Sequence, residues 1–175
     1  MSWCPAERTS GGRTALTGSV NDGCEPVLLV GQSYAGAVIT QAGDLPNIVG
    51  LVYVAAFAPD AGENLGQIGE WNVAAAAAAG NVVPDSDGYV WIKQDKFRES
   101  FCQDLPADEA LVMAVTQKAR SASTSDRMIH PDTERRMAER MNPRRTIELD
   151  ASHASLASQP AAIVDLIDEA VASLT

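Results

Sequence analysis

Hydrophobic positions fall into two textures along the chain. Val27, Leu28, Leu29 and Val30 form an uninterrupted apolar run, and Leu51, Val52, Tyr53 and Val54 form a second. Runs of this length without polar alternation predict strands buried on both faces, as in the middle of a parallel sheet. Between them, residues 37–42 read as a helix. Near the C-terminus, Ile147 and Leu149 alternate with Thr146, Glu148 and Asp150, which predicts a short half-buried strand. Beyond Gln159 and Pro160, residues Ile163, Ile167 and Val171 recur with Leu166, Ala170 and Leu174. That spacing predicts one apolar helix face, with Asp165, Asp168 and Glu169 turned to water.

The middle of the chain is broken into shorter pieces. Trp71 and the alanine-rich residues 74–79 suit a helix stopped by Gly80. Residues 84–88 (Pro-Asp-Ser-Asp-Gly) read as a turn, and residues 89–92 as a short strand. Residues 97–103 and 107–117 read as helices, the second opening on Pro106. Residues 1–22 are polar with little periodicity, and residues 118–124 contain no apolar run.

Between the first strand and its helix lies Gly31-Gln32-Ser33-Tyr34-Ala35-Gly36. A buried strand, a sharp turn of small residues with a serine at its tip, and a helix make the setting of a nucleophile elbow. The turn lifts the hydroxyl above the sheet, and the helix start aims backbone N–H groups at a developing oxyanion. The usual pattern is Gly-x-Ser-x-Gly, but the fifth position is Ala35, with glycine displaced to Gly36. The extra methyl is expected where space is shortest, under slight strain. The plainer reading is an ordinary strand–loop–helix with a capping serine.

A general base must come from elsewhere, and the chain has two histidines, His130 and His153. His153 follows the alternating segment and precedes the last helix, in a loop from which it could reach Ser33. His130 precedes Pro131 at a helix start, where capping or surface exposure accounts for it. For His153 too, the plainer alternative is a surface histidine near a helix start.

Residues 30–40 and 51–59 together resemble the α/β-hydrolase superfamily, and more narrowly bacterial esterases related to plant methylesterases and hydroxynitrile lyases. Residues 148–156 (Glu-Leu-Asp-Ala-Ser-His-Ala-Ser-Leu) look like that family's histidine segment, and residues 125–131 like its acid segment. The resemblance implies an α/β fold: a reduced three-layer hydrolase with a small, mostly parallel sheet and a helical cap. It implies one domain over residues 1–175, with residues 63–118 as the cap. It also implies Ser33 as nucleophile, His153 as base, Asp126 as the acid that orients the imidazole, and the Tyr34 N–H as half of an oxyanion hole. A hydroxyl is a poor nucleophile until a base takes its proton, and the carboxylate fixes the imidazole tautomer. Asp132 and Asp150 are rival acids. Tyr34, Trp91, Phe97 and Phe101, with Met113, are candidates for an apolar acyl pocket, although aromatic and Met positions at helical spacing also serve as plain core.

By comparison with that superfamily, the chain reads as a core lacking the N-terminal strands and the acid-bearing strand, with residues 15–20 as a remnant of the helix that precedes the elbow strand. Loss of one oxyanion donor would cost on the order of 3 kcal/mol in the transition state. Two functional classes follow: a serine carboxylesterase acting on small to medium apolar esters, and a degenerate hydrolase fold serving as a binding or assembly module. Cyanohydrin cleavage uses the same triad with a cap lysine, for which Lys93 and Lys96 are the nearby candidates.

Composition narrows the partners. A net charge of −10 and a pI near 4.5 set the chain against nucleic acid, whose phosphates it would repel. Arg135, Arg136, Arg140, Arg144 and Arg145 are interleaved with Glu134, Glu139 and Glu148 and read as a solvated helix face. Cys4, Cys24 and Cys102 have no metal-ligand spacing and read as reduced thiols of a cytoplasmic protein. Residues 1–8 lack the apolar core of a signal peptide, and the apolar stretches are far short of a membrane span. Neither a cofactor nor a metal is expected. An all-apolar strand without flanking strands on one side is an open edge, so a homodimer or larger homo-oligomer, or else a strongly aggregation-prone monomer, is expected.

Overall fold

The computed structural model describes residues 25–74, 76, 79–86, 89–117, 120–121 and 128–174. In chain order the elements are β1 (Val27–Ser33), α1 (Tyr34–Ala42), β2 (Ile48–Ala56), α2 (Leu65–Gly69), β3 (Val82–Pro84) and β4 (Tyr89–Ile92). They continue with α3 (Phe97–Phe101), α4 (Ala107–Thr116), β5 (Arg120–Ser121), α5 (Pro131–Met141), α6 (Ser155–Ser158) and α7 (Pro160–Ala172). The helix remnant expected at residues 15–20, Cys4, Cys24 and the expected acid Asp126 lie outside the described residues.

β1 and β2 pair in parallel, with α1 as the crossover. Because side chains alternate across a strand, the two apolar runs feed two faces. Leu29, Leu51 and Tyr53 pack with Ile39 and Ala42 of α1. Leu28, Val52 and Val54 pack on the other face with Ile163, Leu166 and Ile167 of α7. Helix, sheet and helix form three layers, the reduced α/β-hydrolase-like architecture.

Burial of the first run is less complete than its pattern predicts. Of Val27 to Val30 only Leu29 is buried, and Val30 is 42% exposed. Among the described residues β1 has a strand neighbour, β2, on one side alone. The last helix is corrected in the same direction. Ile163 is buried and Leu166, Ile167 and Ala170 are half-buried, but Val171 and Leu174 stand exposed. The alternation at residues 146–150 predicts a strand, whereas the backbone there is irregular. No strand lies beside it to complete a ladder among the described residues, and Leu149 tucks against the α7 face of β2 instead.

A second region follows β2. β3, β4 and β5 form an antiparallel sheet, and α3 and α4 pack in one cluster with Ile92, Cys102, Leu105 and Met128. Of the alanine run, Ala74, Ala76 and Ala79 are described. Gly80 has φ 66°, and the Asn81 N–H reaches back to the Ala76 carbonyl at 2.9 Å, the expected glycine stop. The helix at α2 is absent from the sequence reading; Asn64 and Gln67 close a reciprocal capping box at its start. Among the described residues, no helix is long and apolar enough to cross a membrane.

Candidate active site

Ser33 joins β1 to α1 with φ 55° and ψ −122°, a region that side chains other than glycine rarely occupy and that costs on the order of 1–3 kcal/mol. Its hydroxyl makes no capping bond to α1, so the capping-serine reading of the motif does not hold. The surrounding backbone fixes the turn. The Phe57 N–H donates to the Ser33 carbonyl at 3.1 Å. The β1–β2 register slips at this point, from Gln32 opposite Val54 to Ser33 opposite Ala56. Ala55 is left bulged with φ 42°, a device that bends a strand and re-aims the residues beside it.

Space at the elbow is shortest at two glycines, not at Ala35. A Cβ on Gly36 would run into the Phe57 carbonyl oxygen and lie 2.8 Å from the Ala56 methyl. One on Gly31 would lie 2.8 Å from the Ala35 carbonyl oxygen and 2.9 Å from the Ile39 side chain. Ala35 itself is exposed, so the crowding expected there is corrected. The displaced glycine of the motif is the one that lets α1 press onto the end of β2.

Tyr34 opens α1, so its N–H is among those that a helix's own ladder leaves unused. Its side chain is 42% exposed.

His153 is 1% exposed and lies in the irregular stretch before α6. Gln32, the residue before Ser33, donates its side-chain amide to the His153 carbonyl at 2.8 Å. This bond ties the elbow to the histidine loop across 121 positions of sequence. On the other side, the Ala154 N–H donates to the Phe101 carbonyl at 3.1 Å, and the Ser152 N–H to Asp104 Oδ2 at 2.8 Å. The Phe101 and His153 rings meet edge-on, with centroids 4.8 Å apart and planes at 75°. Burial pushes the Asp104 carboxyl up, but hydrogen bonds, those from the Ser152 hydroxyl and N–H foremost, together outweigh it and hold the group below its usual range.

His130 does a different job. It caps α5, its Nδ1 accepting the Asp132 N–H at 3.2 Å, as its place before Pro131 suggests. The rival acids stand on the surface. Asp132 is bound by Arg135 at 2.8 Å, and Asp150 is exposed, with its carbonyl accepting the Gln159 amide at 3.0 Å. Lys93 is exposed and Lys96 pairs with Glu99 at 3.3 Å.

Trp91, Phe97, Phe101 and Met113 all line one cavity of about 360 Å³ in the second region. Phe97 and Phe101 are also members of the packed cluster there, so wall and core are the same residues. Tyr34 does not line this cavity. Its polar lining groups are turned to other partners: the Gln117 side chain holds both the Ile92 N–H and its carbonyl, and the Thr116 hydroxyl donates to the Val112 carbonyl. The cavity's lining is mainly apolar, with a polar minority. Phe101 belongs both to its wall and to the contact surface of His153.

The arginine cluster is internally occupied. Arg135 pairs with Glu148, Arg140 with Glu63 and the Ala58 carbonyl, and Arg145 with Glu169. Arg144 donates to the Ser173 carbonyl, and Arg136 stacks 3.7 Å over the Trp71 ring. Among the described residues, no group of three or more His, Cys, Asp or Glu side chains is arranged to hold a metal ion. Cys102 is a free, fully buried thiol whose pKa burial pushes up.

Sequence reasoning missed Gln32, Asp104 and Ser152. Gln32 occupies a variable position of the elbow motif, and Asp104 meets Ser152 across 48 positions of sequence with no motif joining them.

The family model described as "Alpha/beta hydrolase family" matches residues 7–166. No curated protein matches the chain.

Proposed function

We propose, given that the chain belongs to the alpha/beta hydrolase family, that it is a serine hydrolase cleaving small to medium carboxylic esters through an acyl-enzyme. The observation that carries this reading is the backbone of Ser33, held at φ 55° between strand and helix with its hydroxyl not used as a cap. A strained non-glycine residue at such a junction needs surroundings that over-determine it, and Gly31, Gly36 and the Ala55 bulge do so.

In this mechanism Ser33 Oγ attacks the ester carbonyl carbon as His153 takes the hydroxyl proton. The Tyr34 N–H, at the positive end of α1, donates to the oxyanion of the tetrahedral intermediate. Collapse breaks the bond to the alkoxy oxygen, which leaves with the proton from His153. A water molecule then repeats the sequence on the acyl-enzyme, releasing the acid and restoring Ser33. Asp126 is the acid assigned to orient the imidazole, by the order Ser, Asp, His. Residues 63–118 act as the cap, and the apolar cavity lined by Trp91, Phe97, Phe101 and Met113 takes the hydrocarbon part of the ester.

Hydrolysis of p-nitrophenyl butyrate by the purified protein tests the reading. The wild-type protein is expected to turn over and Ser33→Ala to lose essentially all turnover. Equal turnover by the two would refute Ser33 as nucleophile, and no turnover by either would favour the binding or assembly module.

A further inference from the structure

We propose that Asp104 is a positioning residue for His153, locking the histidine loop to the cap; this rests on the reading of His153 as the general base. The residues on both sides of His153 are held by the turn that ends α3. The Ser152 N–H donates to Asp104 Oδ2 at 2.8 Å, and the Ala154 N–H donates to the Phe101 carbonyl at 3.1 Å. The ring of Phe101 meets the imidazole edge at 4.8 Å. His153 therefore sits between two backbone anchors only two residues apart, with the Gln32 amide on its own carbonyl as the third.

The turn that presents Asp104 is itself rigid. The Leu105 N–H closes on the Cys102 carbonyl at 3.1 Å. The Arg98 guanidinium forks onto the Leu105 carbonyl at 3.1 and 3.0 Å. Cys102 and Leu105, on either side, are buried in the cluster of the second region. Asp104 thus stands on a fixed mount and grips an otherwise irregular loop. The Ser152 hydroxyl, which accepts the Ala154 N–H at 3.1 Å, continues the grip across the histidine. Because Phe101 is also a wall of the apolar cavity, the base and the substrate pocket share one support. A base must keep its place within fractions of an ångström of the nucleophile, and a displacement of about 1 Å costs on the order of 10²-fold in rate.

The test compares Asp104→Ala with Asp104→Asn by kinetics and by NMR of the two histidine side chains in the full chain. In Asp104→Ala, kcat for p-nitrophenyl butyrate is expected to fall about 10²-fold with little change in KM. The His153 imidazole resonance is expected to shift or broaden while that of His130 stays in place. Asp104→Asn keeps an oxygen that accepts the Ser152 N–H, so both readouts are expected to return most of the way to wild type. An unchanged kcat and an unmoved His153 resonance in Asp104→Ala would overturn the proposal. Equal impairment of both variants with both histidine resonances displaced would also overturn it, as a general structural loss. Hydrogen exchange at the Ser152 amide of the wild-type protein reads the same bond without a substitution. Protection comparable with α3 is expected, and exchange as fast as exposed loop amides would contradict it. A wild-type protein that does not hydrolyse esters would sink the serine-hydrolase reading alone, since the resonance and exchange comparisons still decide the positioning.

Discussion

Ser33 is held between β1 and α1, two regular elements packed on β2, while His153 sits in irregular backbone held by hydrogen bonds to Gln32, Phe101 and Asp104. On the first side, glycine-sized gaps and a bulge force one residue into a strained conformation. On the second, no repeating ladder sets the position, and three separated hydrogen bonds replace it. The contrast predicts where each side is vulnerable. The elbow fails through added volume, because its tolerances are contacts between backbones. The histidine loop fails through lost hydrogen-bond partners, because its tolerances are hydrogen bonds.

The largest expected effects fall on the chemistry itself. His153→Ala is expected to lose several orders of magnitude in ester turnover, up to about 10⁶-fold if it acts as a unit with Ser33. His130→Ala removes only the cap of α5, with activity preserved and stability changed by about 1 kcal/mol. Steady-state kinetics and thermal unfolding of both variants check this pair, and the reverse pattern would place the base on the wrong loop. Asp126→Asn comes next, with an expected rate loss of up to about 10⁴-fold and an intact fold. A small effect there combined with a large one at Asp132 or Asp150 would mean that another carboxylate orients the imidazole.

Smaller effects separate the two glycine-like positions of the elbow. Gly36→Ala is expected to destabilise the fold by about 1–3 kcal/mol in denaturant unfolding, because the added methyl meets the Phe57 carbonyl and the Ala56 methyl. Ala35→Gly restores the usual motif yet relieves nothing, since Ala35 is exposed. Its expected outcome is unchanged activity and a loss of about 1 kcal/mol or less from glycine inside a helix. A gain in activity or stability from Ala35→Gly would contradict the placement of the tight contact at Gly36.

The same two regions differ in how far the sequence reveals them. The strand, elbow and helix around Ser33 follow from an apolar run, a small-residue turn and a second apolar run, since each is dictated by burial in its own segment. What the motif could not show is the register of α1 on β2, which moves the closest approach from Ala35 to Gly36. On the histidine side, the alternation of Ile147 and Leu149 is a true record of half-burial, but half-burial is not pairing, and the segment has no ladder partner among the described residues. Asp104 is not legible because its partners, the N–H and hydroxyl of Ser152, lie 48 positions away and form no recognisable motif with it. Trp91, Phe97, Phe101 and Met113 line one space, and Tyr34, beside Ser33, does not line it.

Labelling of the intact protein with a fluorophosphonate, with the adduct mapped by mass spectrometry, tests the central claim most directly. A single adduct on Ser33 that is lost in His153→Ala and kept in His130→Ala is the expected result. No adduct, or an adduct on another serine that survives Ser33→Ala, would contradict it.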